Sequence, residues 1–206
     1  LGLDPSLIHV IHNPIDAVRI RVLAAQVDPL PSFCSAPFIV SIGRLTIQKD
    51  HGTLLRAYAA SALRHTHRLI VIGEGEQRQA LAELAGKLGI EGRVELPGSF
   101  VNPYPILAGA ALLVLSSRWE GYPNVLLEAL ALGVPVVATD CPAGPRELLQ
   151  GGRYGRLVPV GDHLALARAI DDELREPAES RHEMIEAHQP RTVACRYLAL
   201  LDGSKT

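Results

Sequence analysis

The sequence predicts an α/β fold, a parallel sheet covered by helices on both faces, and three observations carry that reading. Short runs of β-branched residues and leucine recur along the chain with helix-patterned stretches between them, which is the mark of successive βα units. The hydrophobic fraction is 48% but the aromatic fraction only 4%, so the core must be built from Leu, Val, Ile and Ala, as in parallel strands buried on both sides. At 206 residues the chain is long enough for one well-buried domain and barely long enough for two small ones.

In chain order, residues 1–37 contain five prolines, at 5, 14, 29, 31 and 37, which breaks regular structure and reads as an approach segment or linker. Strands are expected at 38–42, 68–72, 93–96, 112–115, 134–138 and, more weakly, 156–158. Residues 50–63 place Leu54, Leu55, Tyr58 and Ala62 close to helical spacing, and residues 77–88 repeat this with Ala80, Leu81, Leu84 and Leu88, Gly89 marking the end. From about Asp162 onward the pattern is helical, interrupted by Pro177 and Pro190, so two or three helices should close the fold.

Charge and cysteine usage exclude several classes. With 20 Lys+Arg against 22 Asp+Glu, a formal charge of −2 and no long run of one sign, the chain lacks the electrostatic footprint of a nucleic-acid binder. Any anion must be held locally. Cys34, Cys141 and Cys195 are odd in number, widely spaced and without a CxxC, which argues against a disulfide framework or a zinc site and fits a reducing cytosol. No apolar stretch reaches about 18 residues and the first residues lack a signal pattern, so a soluble chain is expected, with a peripheral membrane role compatible. The start at Leu1 rather than Met suggests a processed or excised fragment.

Two segments carry most of the chemistry. Gly43-Arg44-Leu45-Thr46-Ile47-Gln48-Lys49 follows the first strand, and glycine at the carboxyl end of a strand permits the sharp turn beside which ligands bind in open α/β sheets. Arg44 and Lys49 then suit a diphosphate, one as a planar fork and the other as a mobile point charge. They could equally be solvated surface charges. The second segment, Glu120-Gly121-Tyr122-Pro123-Asn124-Val125-Leu126-Leu127-Glu128, follows the fourth strand and the polar step Ser116-Ser117. Pro123 and Asn124 are helix-start signals, so free backbone N–H groups should point back at the strand ends and form an anion site. Glu120 falls on the loop and Glu128 one turn inside the helix, which implies different tasks; a carboxylate suits a vicinal diol such as that of ribose. Taken singly, either glutamate could be ordinary helix-start electrostatics.

Weaker signals are Gly73-Glu74-Gly75, which reads either as turn chemistry or as a second lining of the same crevice, and the amide-rich loop 139–147. The eight histidines show no metal-ligand spacing, and no D-x-D appears, so a divalent metal is not indicated and no cofactor is expected.

Taken jointly, these segments resemble the retaining glycosyltransferases of the GT-B fold often called family four. The matching stretches are Ser41-Ile-Gly-Arg-Leu-x-x-x-Lys49, Ile70-Val-Ile-Gly-Glu-Gly75, Val94-Glu-Leu-Pro-Gly98, the run from Leu113 to Ala129, Gly133-Val-Pro-Val-Val137 and Gly144-Pro-Arg-Glu147. The similarity covers roughly residues 8 to 201. It implies a Rossmann-like donor domain at 17–206, the C-terminal half of such an enzyme, with 1–16 as a hinge segment around Asn13-Pro14-Ile15-Asp16 and the N-terminal acceptor domain absent. It implies a nucleoside diphosphate sugar donor, with Arg44 and Lys49 on the diphosphate and Glu120 and Glu128 as an E-x7-E pair. Glu128 would hold ribose, Glu120 would sit beside the donor sugar, and the base would rest near Leu96 and Gly98. Gly43, Gly73 and the turn Gly121, Tyr122, Pro123, Asn124 and Val125 complete the expected site, with Glu120, Arg44 and Lys49 the residues acting on the transferred bond. The sequence departs from the family at Ala143, where many relatives have glycine and where a methyl could narrow the loop. The resemblance further implies retention of anomeric configuration and a role in glycan, glycolipid or cell-surface polysaccharide synthesis, in the cytoplasm or at the inner face of the membrane. A non-catalytic nucleotide-sugar module and a GT-B relative with other chemistry are the competing readings.

Overall fold

The computed structural model describes residues 8–26, 30–178 and 182–201. Six strands, β1 (Phe38–Ile42), β2 (Arg68–Ile72), β3 (Val94–Gly98), β4 (Leu112–Leu115), β5 (Val136–Thr139) and β6 (Arg156–Val158), form one sheet in the order β3-β2-β1-β4-β5-β6. Every pairing is parallel. β3 runs two residues beyond the expected end, through Pro97 to Gly98. It lies at the sheet edge, where a residue without an N–H leaves no ladder bond unmade.

Side chains alternate between two cores because successive strand residues point to opposite faces. Phe38, Val40, Ile70, Ile72, Leu113, Leu115, Val136 and Ala138 pack on one face against α1 (Ala17–Ala24), α4 (Tyr104–Gly109), α5 (Asn124–Ala131), α6 (Pro145–Leu148) and α8 (His182–Ala187). Ile39, Leu69, Val71, Leu112, Val114, Val137 and Val158 pack on the other against α2 (His51–Ala60), α3 (Arg78–Lys87) and α7 (His163–Arg175). The doubly covered parallel sheet expected from composition is the fold observed.

Three local readings are corrected or refined. The proline-rich approach segment holds a helix, α1, which fits in the gap between Pro14 and Pro29; Asp16 caps it by accepting from the Arg19 amide at 2.9 Å, and Ala17 and Ile20 are buried. The stretch expected as one helix over 50–63 ends at Ala60. Ser61 leaves the helix because its hydroxyl donates to Asp171 of α7 while its oxygen caps the following 3₁₀ turn, Ala62–His65. Pro190 opens α9 (Pro190–Leu201), taking the first-turn place where a missing N–H costs nothing. Gly89 does end α3: at φ 67° it lets its own amide reach Gly86 and that of Ile90 reach Ala85, both at 3.0 Å.

Residues 1–7 of the expected hinge lie outside the described residues. Of residues 8–16, Ile15 is buried in the first-face core, and its amide donates to the His188 carbonyl at 2.7 Å.

His51, at the start of α2, is buried, and its Nδ1 has no hydrogen-bond partner among the described residues. Burial and then the Lys49 charge push its pKa down to about 4, against the pull of Asp50. The unfolded chain therefore takes up a proton near pH 6.5 and the folded chain only near 4, so this group costs stability as pH falls through that window. His51→Gln removes the titration and should flatten the fall in urea midpoint between pH 7 and 5 relative to the wild-type chain.

Candidate functional site

The strand order reverses its direction of travel at β1 and β4. These neighbours send their following helices to opposite faces, α2 to one and α5 to the other, so the loops leaving them diverge and open a crevice at the carboxyl edge. Loop 43–50 forms one wall and loop 116–123 the other.

Hydrogen bonds stitch the walls together at their base. The Ser116 hydroxyl donates to the Lys49 carbonyl at 2.8 Å, the Arg118 amide to the Gln48 carbonyl at 2.8 Å, and the Gln48 side chain to the Trp119 carbonyl at 2.9 Å. Arg118 Nε lies 3.0 Å from Asp50 Oδ2. Above them Lys49 Nζ meets Glu120 Oε1 at 2.6 Å, and the Ser117 hydroxyl donates to the same oxygen at 2.6 Å. The Lys49 and Glu120 side chains are only 16% and 7% exposed, so water screens this pair little.

The structure thus separates the two cations expected to act alike. Lys49 shares its charge with Glu120, whereas Arg44 is exposed and makes no ion pair among the described residues.

Gly43 and Gly73 explain themselves by distance. A Cβ on Gly43 would lie 3.3 to 3.5 Å from the Lys49 side chain, whose stem crosses it, and a Cβ on Gly73 would lie 2.0 Å from the Gly43 carbonyl oxygen. Gly75 is as tight, 2.3 Å from the Leu45 oxygen, and the Leu45 amide donates to the Glu74 carbonyl at 2.8 Å. The G-x-G is therefore a backbone support for loop 43–45. Leu96 and Gly98 lie two strands away on β3. Their carbonyls are engaged by the protein, Leu96 accepting from Arg78 and Gly98 from the Gly73 amide at 2.9 Å.

On the other wall, Gly121 is exposed, Pro123 precedes α5 and no side chain caps that helix. Asn124 accepts through Oδ1 from Asn13 at 3.1 Å, and Val125 packs on the first-face core. The Tyr122 ring stacks on His12 at 4.9 Å, its hydroxyl meets His188, and His12 Nε2 lies 2.8 Å from Glu147 Oε1. Burial, then the Glu147 charge, pushes the Tyr122 hydroxyl up to about 12. Gly144 seals the corner: a Cβ there would meet Pro123 Cδ at 2.6 Å and the Gly121 oxygen at 2.8 Å. Ala143 beside it is exposed and sits at φ 61°.

Glu128 faces elsewhere. It lines a cavity of about 200 Å³ with Asp16, Arg19, Tyr104 and Asn124, and the Tyr104 hydroxyl donates to its Oε1 at 3.4 Å. Burial raises the Glu128 pKa, and the Tyr104 bond opposes the rise. The two glutamates share no partner, as their positions on loop and helix suggested. Ser117, Tyr104, His12 and His188 were not singled out from sequence. Only Ser117 carried a local signal, a second polar residue closing an apolar strand. Among the described residues, no group of His, Cys, Asp or Glu could hold a metal ion and no helix is long and apolar enough to cross a membrane.

A six-stranded parallel sheet in this order, with a cation-bearing loop and a helix start facing each other at its switch point, defines a Rossmann-like α/β domain. The family described as "Glycosyl transferases group 1" matches residues 27–191, and the chain belongs to it. It is 36% identical over 188 residues to the lipopolysaccharide core biosynthesis glycosyltransferase LpsE of Rhizobium meliloti, covering 88% of this chain and 54% of that one. It is 33% identical over 185 residues to the N-acetylgalactosamine-N,N'-diacetylbacillosaminyl-diphospho-undecaprenol 4-alpha-N-acetylgalactosaminyltransferase of Campylobacter jejuni, covering 87% and 49%. The chain therefore spans about half the length of these relatives. Anabaena HepE in complex with UDP-glucose shares the fold at a TM-score of 0.81 and 24% identity, covering 98% of this chain and 59% of that one. The galactosyltransferase WaaB in its apo form does so at 0.78 and 24%, covering 99% and 58%. The Rossmann-like parallel sheet with helices on both faces, expected from the sequence, is the fold found, and these structural neighbours are GT-B glycosyltransferases.

Two substitutions test the site's energetics. Because burial holds the Glu128 carboxyl above its ordinary range, the ionised form costs stability at neutral pH, and that cost vanishes as pH falls below the unfolded value of about 4.3. Glu128→Gln should raise the melting temperature at pH 7 and lose that advantage below pH 4. Ala143→Gly, which relieves a left-handed alanine, should stabilise the chain by about 1 kcal/mol, or roughly 2–4 °C in melting temperature.

Proposed function

We propose that this chain is the donor-binding part of a retaining glycosyltransferase that takes a nucleoside diphosphate sugar, a UDP-sugar first among them, and delivers the sugar to a glycan, glycolipid or polysaccharide acceptor. The observation that carries the reading is the Lys49–Glu120 pair spanning the β1/β4 switch point beside the start of α5, with Glu128 facing a separate cavity farther along the same helix. Family membership and the kinship with LpsE support it, as does the fold shared with a UDP-glucose complex.

In this reading Arg44, Lys49 and the α5 amides at the turn Gly121 to Val125 receive the diphosphate, while Gly43 and Gly73 let the backbone come close to it. Glu120 meets the donor sugar and Glu128 the ribose diol, with the base toward Leu96 and Gly98. Breaking the anomeric C–O bond leaves negative charge on the diphosphate, and fixed cations and amides stabilise that charge as it develops. The transfer then needs no metal ion. Departure and attack occur on the same face of the sugar, so the anomeric configuration is retained. The acceptor is held by a second domain, as the greater length of the relatives suggests. The diphospho-undecaprenol in one relative's name supports a lipid-linked acceptor.

Titration calorimetry of the chain with UDP, GDP and ADP in the presence of EDTA tests the donor reading: UDP should bind without metal, and binding of none, or only after Mg²⁺ or Mn²⁺ is added, would overturn it. Arg44→Ala removes one charge-assisted contact, so it should weaken UDP about ten- to a hundredfold and leave uridine unchanged. Equal losses for UDP and uridine would show that Arg44 does not meet phosphate.

A further inference from the structure

Three hydroxyls lie fully buried where the sheet meets the crevice, those of Ser116, Ser117 and Thr139, each 1% exposed or less. Buried hydroxyls are costly unless bonded, so what each one holds is informative. Ser116 donates to the Lys49 carbonyl and Thr139 to the Ser117 carbonyl, both main-chain atoms. Ser117 alone among the three donates to an ionisable side chain, Glu120 Oε1, at 2.6 Å.

That oxygen is already the partner of Lys49 Nζ at 2.6 Å. The terminal torsion of a glutamate is broad and roughly two-fold, so one donor leaves the carboxylate free to present either oxygen. Two donors converging on Oε1 from different elements, the end of β4 and the β1–α2 loop, remove that freedom. Glu120 Oε2 takes no partner among the described residues and does not join their buried unsatisfied atoms, so it is the oxygen left for the crevice. An ionised carboxylate oxygen can only accept, and its natural complement is a sugar hydroxyl.

We propose that Ser117 is a positioning residue for donor-sugar recognition: with Lys49 it pins Oε1 of Glu120 and so presents Oε2 to a hydroxyl of the transferred sugar. The inference rests on the reading of Glu120 as the residue beside the donor sugar. Ser117, buried beneath Glu120, touches no part of the donor itself. Its loss should therefore leave the nucleoside diphosphate untouched and lower only the additional affinity that the sugar brings. Lys49 differs, because its removal would disturb diphosphate and sugar together.

The test is calorimetric affinity of the 206-residue chain for UDP and for UDP-glucose, in wild type, Ser117→Ala, Ser117→Cys and Glu120→Gln, with thermal unfolding as the check on folding. Ser117→Ala should lower the UDP-glucose affinity about tenfold relative to UDP while UDP stays within about twofold of wild type. Ser117→Cys, which fills the same space with a weak donor, should move the ratio in the same direction and decides the matter if the alanine variant fails to fold. Equal losses for both ligands would make Ser117 a packing residue and overturn the proposal. An unchanged ratio in the Ser117 variants, with Glu120→Gln abolishing the sugar's contribution, would overturn the role of Ser117 and leave that of Glu120 standing. A ratio that Glu120→Gln does not alter would overturn both.

Discussion

The ion pair between Lys49 and Glu120 crosses the one place in the sheet where the chain changes direction, and the rest of the site is arranged around holding it. Two opposite charges with little water around them attract strongly but have each lost hydration, so the arrangement is favourable only when both partners are fixed in good geometry. Fixing them requires the loops after β1 and β4 to be rigid relative to each other. The bonds from Ser116, Gln48 and Arg118 do this at the base of the crevice, and the glycines at 73 and 75 do it from behind by letting a second loop lie directly on the first. A methyl group at either glycine would push loop 43–45, and with it Lys49, away from Glu120.

Stability is given up at several points around this arrangement. Glu128 is kept half-buried against Tyr104, at the expense of its ionised form. Ala143 is held in a left-handed conformation beside Gly144, which packs on the Gly121 to Pro123 turn. His51 is buried neutral directly after the loop that carries Lys49. Such local costs persist only where the surrounding packing over-determines them, here two apolar cores on either side of a fully parallel sheet.

Most of the fold was legible because it is written in local pattern. Apolar runs of four or five residues marked β1, β2 and β4 to the residue, and the Gly89 terminator marked the end of α3, since strand burial and helix caps depend on neighbours in sequence. The errors have the opposite character. α1 was hidden because prolines at 14, 29 and 31 suggested irregular chain, although the helix needs only the gap between them. The early end of α2 was set by Asp171, 110 residues away, and no local rule could have registered it. Likewise Pro97 fits a strand only because that strand is at the edge, which is a property of the sheet order.

By itself the sequence determined the α/β class, most of the strands, and the placement of one glutamate on a loop and the other on a helix. These follow from residue types and spacings over about ten positions, within which backbone geometry is strongly constrained. Only the tertiary structure decided that Lys49 is paired while Arg44 is not, that Ser117 holds the carboxylate, that Tyr104 and Arg19 border Glu128, and that His12 and His188 flank Tyr122. Each of these joins residues brought together by strand order or by the return of the terminal helices. Such contacts depend on how layers pack across the sheet, and spacing along the chain carries no record of that distance.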